Sequence, residues 1–154
     1  MGSEEKGEVA RTSGCDEVIL YRVEDVADRV REITDGRGVD VVYDSVGAAT
    51  FEASIKSLRP RGMMVTFGNA SGPLAEINVP KSLQPKGLYF IRPSMQQYLS
   101  TREEIDEAAK ILFEKVESGK IKIEIFKKYK LKDVVKAHQD LENRKILGPA
   151  VIIP

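Results

Sequence analysis

The residues that could do chemistry in this chain gather at the ends of two apolar runs. "VDVVYDSVG", Val39 to Gly47, passes from hydrophobic side chains into Asp44, Ser45 and a glycine. "MMVTFGNASG", Met63 to Gly72, passes in the same way into Phe67, Gly68 and Asn69. A glycine at such a point lets a ligand approach the backbone closely; the plainer alternative is an ordinary strand-to-loop turn. Asp44 can accept hydrogen bonds from backbone donors at the strand end, and no catalytic role follows for it. His138 is the only histidine and shares one helical side with Leu131, Val134 and Leu141, which predicts a packed structural side chain. Cys15 is the only cysteine, so the chain holds neither an internal disulfide nor a cysteine cluster for zinc. It has no cationic neighbour to favour its thiolate. No carboxylate pair or cysteine–histidine arrangement offers a general base. The residues thus nominate binding positions, and neither a catalytic side chain nor a metal site.

The elements that must position those strand ends follow from apolar spacing. "EEKGEVARTSG" predicts a helix stopped by Gly14, and "EVILY", Glu17 to Tyr21, a strand. Val26, Val30 and Ile33 mark one face of a helix that "DGRG" ends. "VDVVYD" is the next strand. Phe51, Ile55 and Leu58 mark another helical face, and "RPRG" predicts a turn before the strand "MMVTF". "GLYFIRP", Gly87 to Pro93, is a further strand. Strands alternating with helices at this spacing predict a parallel α/β sheet, with ligands outside the carboxyl ends of its strands. From Ser100 a long amphipathic helix is expected, opened by a Thr101/Glu104 capping box and closed at Gly119. "IKIEIF", Ile121 to Phe126, reads as a strand, "LKDVVKAHQDLENR" as a helix and "GPAVIIP" as a terminal strand.

Composition excludes several classes. The 154 residues suffice to bury roughly two-thirds of the unfolded surface. Lysine plus arginine and aspartate plus glutamate number 24 each, so bulk attraction to nucleic acid or anionic membrane is not expected. No apolar run approaches the ~20 residues that span a bilayer, and a cytoplasmic location is the default. The dinucleotide fingerprint, a strand followed by a glycine-rich turn and a helix, is absent. "GRG" at Gly36 to Gly38 precedes a strand where it should follow one.

Taken together, "VVYDSVG", "MMVTFGNASG", "LYFIRPS" and "AHQDLENRKILGPAVIIP" resemble the carboxyl-terminal half of the NADPH-dependent, zeta-crystallin-like quinone oxidoreductases. These form a zinc-independent branch of the medium-chain dehydrogenase/reductase superfamily. The resemblance implies an incomplete Rossmann-type domain over residues 1–93, holding strands three to six. Over 94–154 it implies the C-terminal portion of a GroES-like catalytic domain. Strands one and two and the glycine loop would lie outside the chain. "EVILY" would then pair directly with "VDVVYD", or chains would associate through unpaired edges.

The same resemblance implies an NADPH site. Lys6 and Tyr21 would flank the adenosine 2′-phosphate, and Val46 and Gly47 the nicotinamide-side ribose. Phe67, Gly68 and Asn69 would line the dinucleotide, with Arg144 near the cofactor and Arg92 facing the cofactor or a dimer seam. It implies hydride transfer to a quinone or conjugated carbonyl, no activity for this chain alone, and a homodimer through the Gly87–Pro93 edge strand. An enoyl reductase of the same superfamily, or a truncated non-catalytic binding protein, are the alternatives. Some relatives bind RNA, and "KKYKLKDVVK" is locally basic, so RNA is a further candidate partner.

Overall fold

The computed structural model describes residues 1–74, 76–143 and 145–154. The chain divides into two compact units, Met1–Tyr98 and Leu99–Pro154, where the sequence suggested a boundary after residue 93.

The first unit is built around three parallel strands, β1 (Val39–Asp44), β2 (Leu58–Thr66) and β3 (Tyr89–Ile91), in the spatial order β1-β2-β3. Helix α1 (Glu4–Thr12) starts at Ser3, whose hydroxyl accepts the Lys6 N–H, and the chain leaves it through Gly14 at φ +99°. Helix α2 (Val26–Ile33) is capped by the Asp25 carboxylate. Its fully buried residue is Ala27, with Val26 and Val30 half-buried and Ile33 exposed. Helix α3 (Phe51–Ser57) connects β1 to β2 and lays Phe51 and Ile55 on the sheet. They form the core with Leu58 and Met64, and Phe90 meets Phe51 edge to face at 6.4 Å. Leu58 and Met64 are 1% and 0% exposed, each burial contributing on the order of 2 kcal/mol. Short helix α4 (Val79–Ser82) and a 3-10 turn at Gln84–Lys86 complete the path to β3.

Side chains alternate across the sheet. Val42, Asp44, Met64, Thr66 and Phe90 face α3, whereas Val41, Tyr43, Met63, Tyr89 and Ile91 are exposed on the other side. The expected "RPRG" turn lies inside β2. Val39 pairs with Leu58 but Val41 with Met63, so Arg59–Gly62 loop out, with Arg61 at φ 61°. Asp40 pins this excursion by accepting two bonds from Arg37 (2.8 and 3.0 Å) and one from Arg59 (2.6 Å). Those bonds, Arg37's first, hold its carboxyl well below the ordinary carboxylate range.

"EVILY" is not a strand and does not pair with β1. Two of its backbone donors have partners outside any sheet: the Leu20 N–H donates to the Glu24 carboxylate at 2.6 Å, and the Tyr21 N–H to the Met1 carbonyl at 3.2 Å.

In the second unit, α5 (Met95–Tyr98) having closed the first, helix α6 (Arg102–Glu117) opens on the expected reciprocal Thr101/Glu104 capping box and ends before Gly119 at φ +71°. It buries none of its residues. Strands β4 (Lys127–Lys130) and β5 (Ala150–Ile153) pair in parallel, and α7 (Val134–Glu142) follows a 3-10 turn. "IKIEIF" is not a strand; pairing with the four residues of β5 starts only at Lys127. His138 is exposed, because α7 turns Ala137 and Asp140 inward instead of the Leu131–Val134–His138–Leu141 side. Asp140 is buried because it meets Tyr129 and Lys127 there. No helix among the described residues is long and apolar enough to cross a membrane.

Candidate functional site

The carboxyl ends of β1 and β2 are joined by one organising carboxylate. Asp44, 4% exposed, accepts the N–H groups of Val46 (2.8 Å) and Gly47 (2.9 Å) on Oδ1. It accepts the hydroxyls of Thr50 and Ser54 on Oδ2, both at 2.8 Å. Burial pushes this carboxyl up, but the Gly47 N–H, the two hydroxyls and the Val46 N–H outweigh it and hold it below its ordinary value. Asp44 therefore shapes the turn into α3, as its position suggested.

That turn and the loop after β2 are stitched together. The Ser71 N–H and hydroxyl both donate to the Val46 carbonyl at 2.8 Å, the Ala48 N–H to the Gly72 carbonyl at 3.2 Å, and the Ala49 N–H to Ser71 Oγ at 2.9 Å. The glycines serve this contact. A Cβ on Gly47, at φ +94°, would fall 2.5 Å from the Gly72 carbonyl oxygen, and one on Gly68 would fall 2.0 Å from that of Ser45. What remains open to a ligand is the outer surface of the pair, with Phe67 53% exposed and Asn69 exposed beside it.

Asn69 also borders a recess of about 350 Å³, walled by Thr66, Pro73, Leu74, Ile77, Phe90 and Arg92. Its Oδ1 accepts a bond from Arg92 at 3.1 Å. Thr66 is 0% exposed, and its Oγ1 has no hydrogen-bond partner among the described residues. Sequence reasoning passed over Thr66, because nothing in "MMVTFG" says whether a threonine hydroxyl will be satisfied.

Lys6 and the Tyr21 hydroxyl both lie at the start of α1. Lys6 is half-buried in its first turn, and the Tyr21 hydroxyl lies beside Gly2, where an added Cβ would come within 2.8 Å of it. Of the glutamates in that turn, Glu4 is engaged by Arg11 at 2.7 Å. A lysine in the first turn of that helix and a phenol at its start are donors of the kind a phosphate dianion accepts, although Glu5 shares the turn. In donor chemistry this set is compatible with a 2′-phosphate, and Phe67 and Asn69 leave an exposed surface at the end of β2. Arg144 lies outside the described residues. No group of three or more His, Cys, Asp or Glu among the described residues is placed to hold a metal ion.

Comparison with known proteins bears on this arrangement. A family model described as zinc-binding dehydrogenase matches residues 13–152. The chain is 47% identical to a quinone oxidoreductase of Salmonella typhimurium, a match covering 100% of this chain and 48% of the relative. It is 43% identical to a 2-haloacrylate reductase of a Burkholderia species, covering 100% of this chain and 46% of that protein. The solved structure of Escherichia coli quinone oxidoreductase complexed with NADPH superposes with a TM-score of 0.94 at 45% identity, covering 100% of this chain and 48% of that one. The chain spans about half the length of the curated relatives it matches. These comparisons lend no support to an RNA partner. The chain belongs to the zinc-binding dehydrogenase family, and within it all 154 residues align with quinone oxidoreductases.

Proposed function

We propose that this chain is the strand-end portion of an NADPH-dependent reductase of quinones and related conjugated carbonyls. The observation that carries the reading is the likeness of the whole chain to a quinone oxidoreductase solved with NADPH. NADPH, when bound, supplies a hydride, and a quinone that gains it together with one solvent proton becomes a hydroquinone. The protein's part is to bind and orient. Lys6 and Tyr21 hold the 2′-phosphate and set the preference for NADPH. The backbone of Val46 and Gly47 borders the nicotinamide-side ribose, and Phe67, Gly68 and Asn69 line the dinucleotide, with Arg144 near it. Asp44 keeps the turn in the shape that presents them. The zinc-free reading rests on the likeness to quinone oxidoreductases.

Residues 1–93 form the cofactor side and 94–154 a returning piece of the catalytic domain. The sequence carries no phosphate-cradling glycine turn, so this chain alone does not turn over substrate. The Gly87–Pro93 segment is the contact between two copies, because β3 ends the sheet with one edge unpaired. The protein works in the cytoplasm.

The test is a chimera in which this chain follows the part of the Escherichia coli relative that lies outside the match. It should oxidise NADPH with 1,4-benzoquinone, and one quinone should be consumed per NADPH. A folded, soluble chimera that oxidises no NADPH with any quinone would contradict the proposal.

A further inference from the structure

We propose that Ser45 is the residue through which the end of β1 hydrogen-bonds its ligand, its hydroxyl meeting a hydroxyl of the nicotinamide-side ribose. Around Ser45 the polar groups of the turn are already committed to the protein, and the Ser45 side chain is not.

Asp44 takes the N–H groups of Val46 and Gly47 at 2.8 and 2.9 Å. The Val46 carbonyl accepts both the N–H and the hydroxyl of Ser71 at 2.8 Å. The Gly47 carbonyl accepts the N–H groups of Thr50 and Phe51, each at 3.1 Å. An N–H engaged in this way has no second bond to give, and each of the two carbonyl oxygens has both lone pairs taken. The N–H groups of Ala48 and Ala49 go to the Gly72 carbonyl and Ser71 Oγ, and the hydroxyls of Thr50 and Ser54 to Asp44. Gly47 is buried as well. Val46 and Gly47 therefore border a ligand by contact, chiefly through the half-buried Val46 side chain, and have no N–H to offer it.

Ser45 differs. It is exposed, and its hydroxyl makes no hydrogen bond among the described residues. Its carbonyl takes the Ala70 N–H at 3.5 Å, and a Cβ on Gly68 would come within 2.7 Å of the Ser45 Cα. Ser45 thus lies against the loop that carries the exposed Phe67 and Asn69. A serine hydroxyl donates one bond and accepts others, which matches a sugar hydroxyl, itself both donor and acceptor. The reductase reading above puts the nicotinamide-side ribose at this turn, and the assignment rests on that reading.

The test is a titration of this chain with NADPH, followed by amide NMR of Ser45 and Gly68. Adenosine 2′,5′-bisphosphate, which lacks the nicotinamide-side ribose, is the control. Ser45→Ala should weaken NADPH about fivefold, the loss of one neutral hydrogen bond, and leave the bisphosphate unchanged. Its urea midpoint should stay at the parent's value, since the hydroxyl has no protein partner to lose. Ser45→Thr keeps the hydroxyl and should bind NADPH as the parent does. NADPH binding untouched by Ser45→Ala, an equal loss for both ligands, a lowered midpoint, or a Ser45→Thr variant as weak as Ser45→Ala would each overturn the assignment. In those cases a bisphosphate that binds the parent, and binds Lys6→Ala less well, leaves the reductase reading standing. No saturable response of the parent to either ligand would remove that reading and the assignment together.

Discussion

Asp44 and Asp140 are both 4% exposed, yet they are kept ionised by opposite means. Asp44, at the end of β1, is surrounded by neutral donors: two backbone N–H groups and two hydroxyls. Asp140, on α7, is surrounded by cations. Lys127 donates to it at 3.0 Å and the Tyr129 hydroxyl at 2.8 Å, while Lys136 and Lys145 stand 3.7 and 3.9 Å away. Neutral donors in a turn are fixed by the backbone and fix it in return. Lysines on flexible stems supply charge and little geometry. The first arrangement specifies the shape of a loop, and it lies where the candidate cofactor surface lies. The second ties β4 to α7 and leaves the form of the neighbouring loops unspecified.

The largest effect should come from Asp44→Ala, which leaves four donors around an emptied position. A loss of about 3 kcal/mol or more is expected, read as a fall in the urea midpoint. A change below about 1 kcal/mol would mean that those donors find other partners. Asp140→Asn should cost less, since an amide oxygen can still accept the Tyr129 hydroxyl. Its three lysines are 42% to 68% exposed, so its effect should shrink in high salt while that of Asp44→Ala persists. Equal salt sensitivity of the two variants would dissolve the contrast.

Acid should separate the pair spectroscopically. The Lys127 and Tyr129 bonds hold Asp140 down to about 2, and Asp44 is also held below its ordinary value. A carboxyl depressed on folding adds stability that is fully present above its unfolded value, ~3.9. For Asp140 that contribution is lost as pH falls through about 2. Carboxyl carbon NMR titration should find both groups titrating below the ordinary carboxylate range. Salt should raise the midpoint of Asp140 and leave that of Asp44 in place.

A smaller effect is expected from Lys86, the counterpart of Asp44 in charge. Its ammonium donates to the carbonyls of Ile55, Lys56 and Leu58 at 3.3, 2.8 and 2.5 Å, closing the C-terminal end of α3. Burial, with Arg31 nearby, pushes this amine below its ordinary value. Lys86→Met should cost about 1 kcal/mol in the urea midpoint, and a stabilised variant would show that burial of the charge outweighs its bonds.

The sequence made the elements legible where local chemistry decided them. The Thr101/Glu104 box, the Gly14 and Gly119 stops and the strand "VDVVYD" all lie where pattern and cap predicted, and "GLYFIRP" holds a strand over its central three residues, Tyr89–Ile91. It failed where the outcome depended on a partner. "EVILY" and "IKIEIF" have strand composition, but a strand is defined by its neighbour, and neither pairs with one among the described residues. The apolar runs of β1 and β2 call for cover on both faces, yet Val41, Tyr43 and Met63 are exposed. His138 was misplaced because hydrophobic periodicity cannot register a face whose inward residue is an aspartate. Gly47 and Gly68 were recognised as points of close approach, although what approaches each is the neighbouring loop. Thr66 gave no signal, since satisfaction of a hydroxyl is a property of the packed chain alone.

The most direct test of the functional account is an NMR titration of this chain with NADPH and, separately, NADH, following Lys6 and Tyr21. The account predicts that only NADPH shifts both residues, and that Lys6→Ala weakens NADPH about tenfold without altering the response to NADH. Equal responses to the two cofactors, or NADPH binding that leaves Lys6 and Tyr21 unmoved, would contradict it.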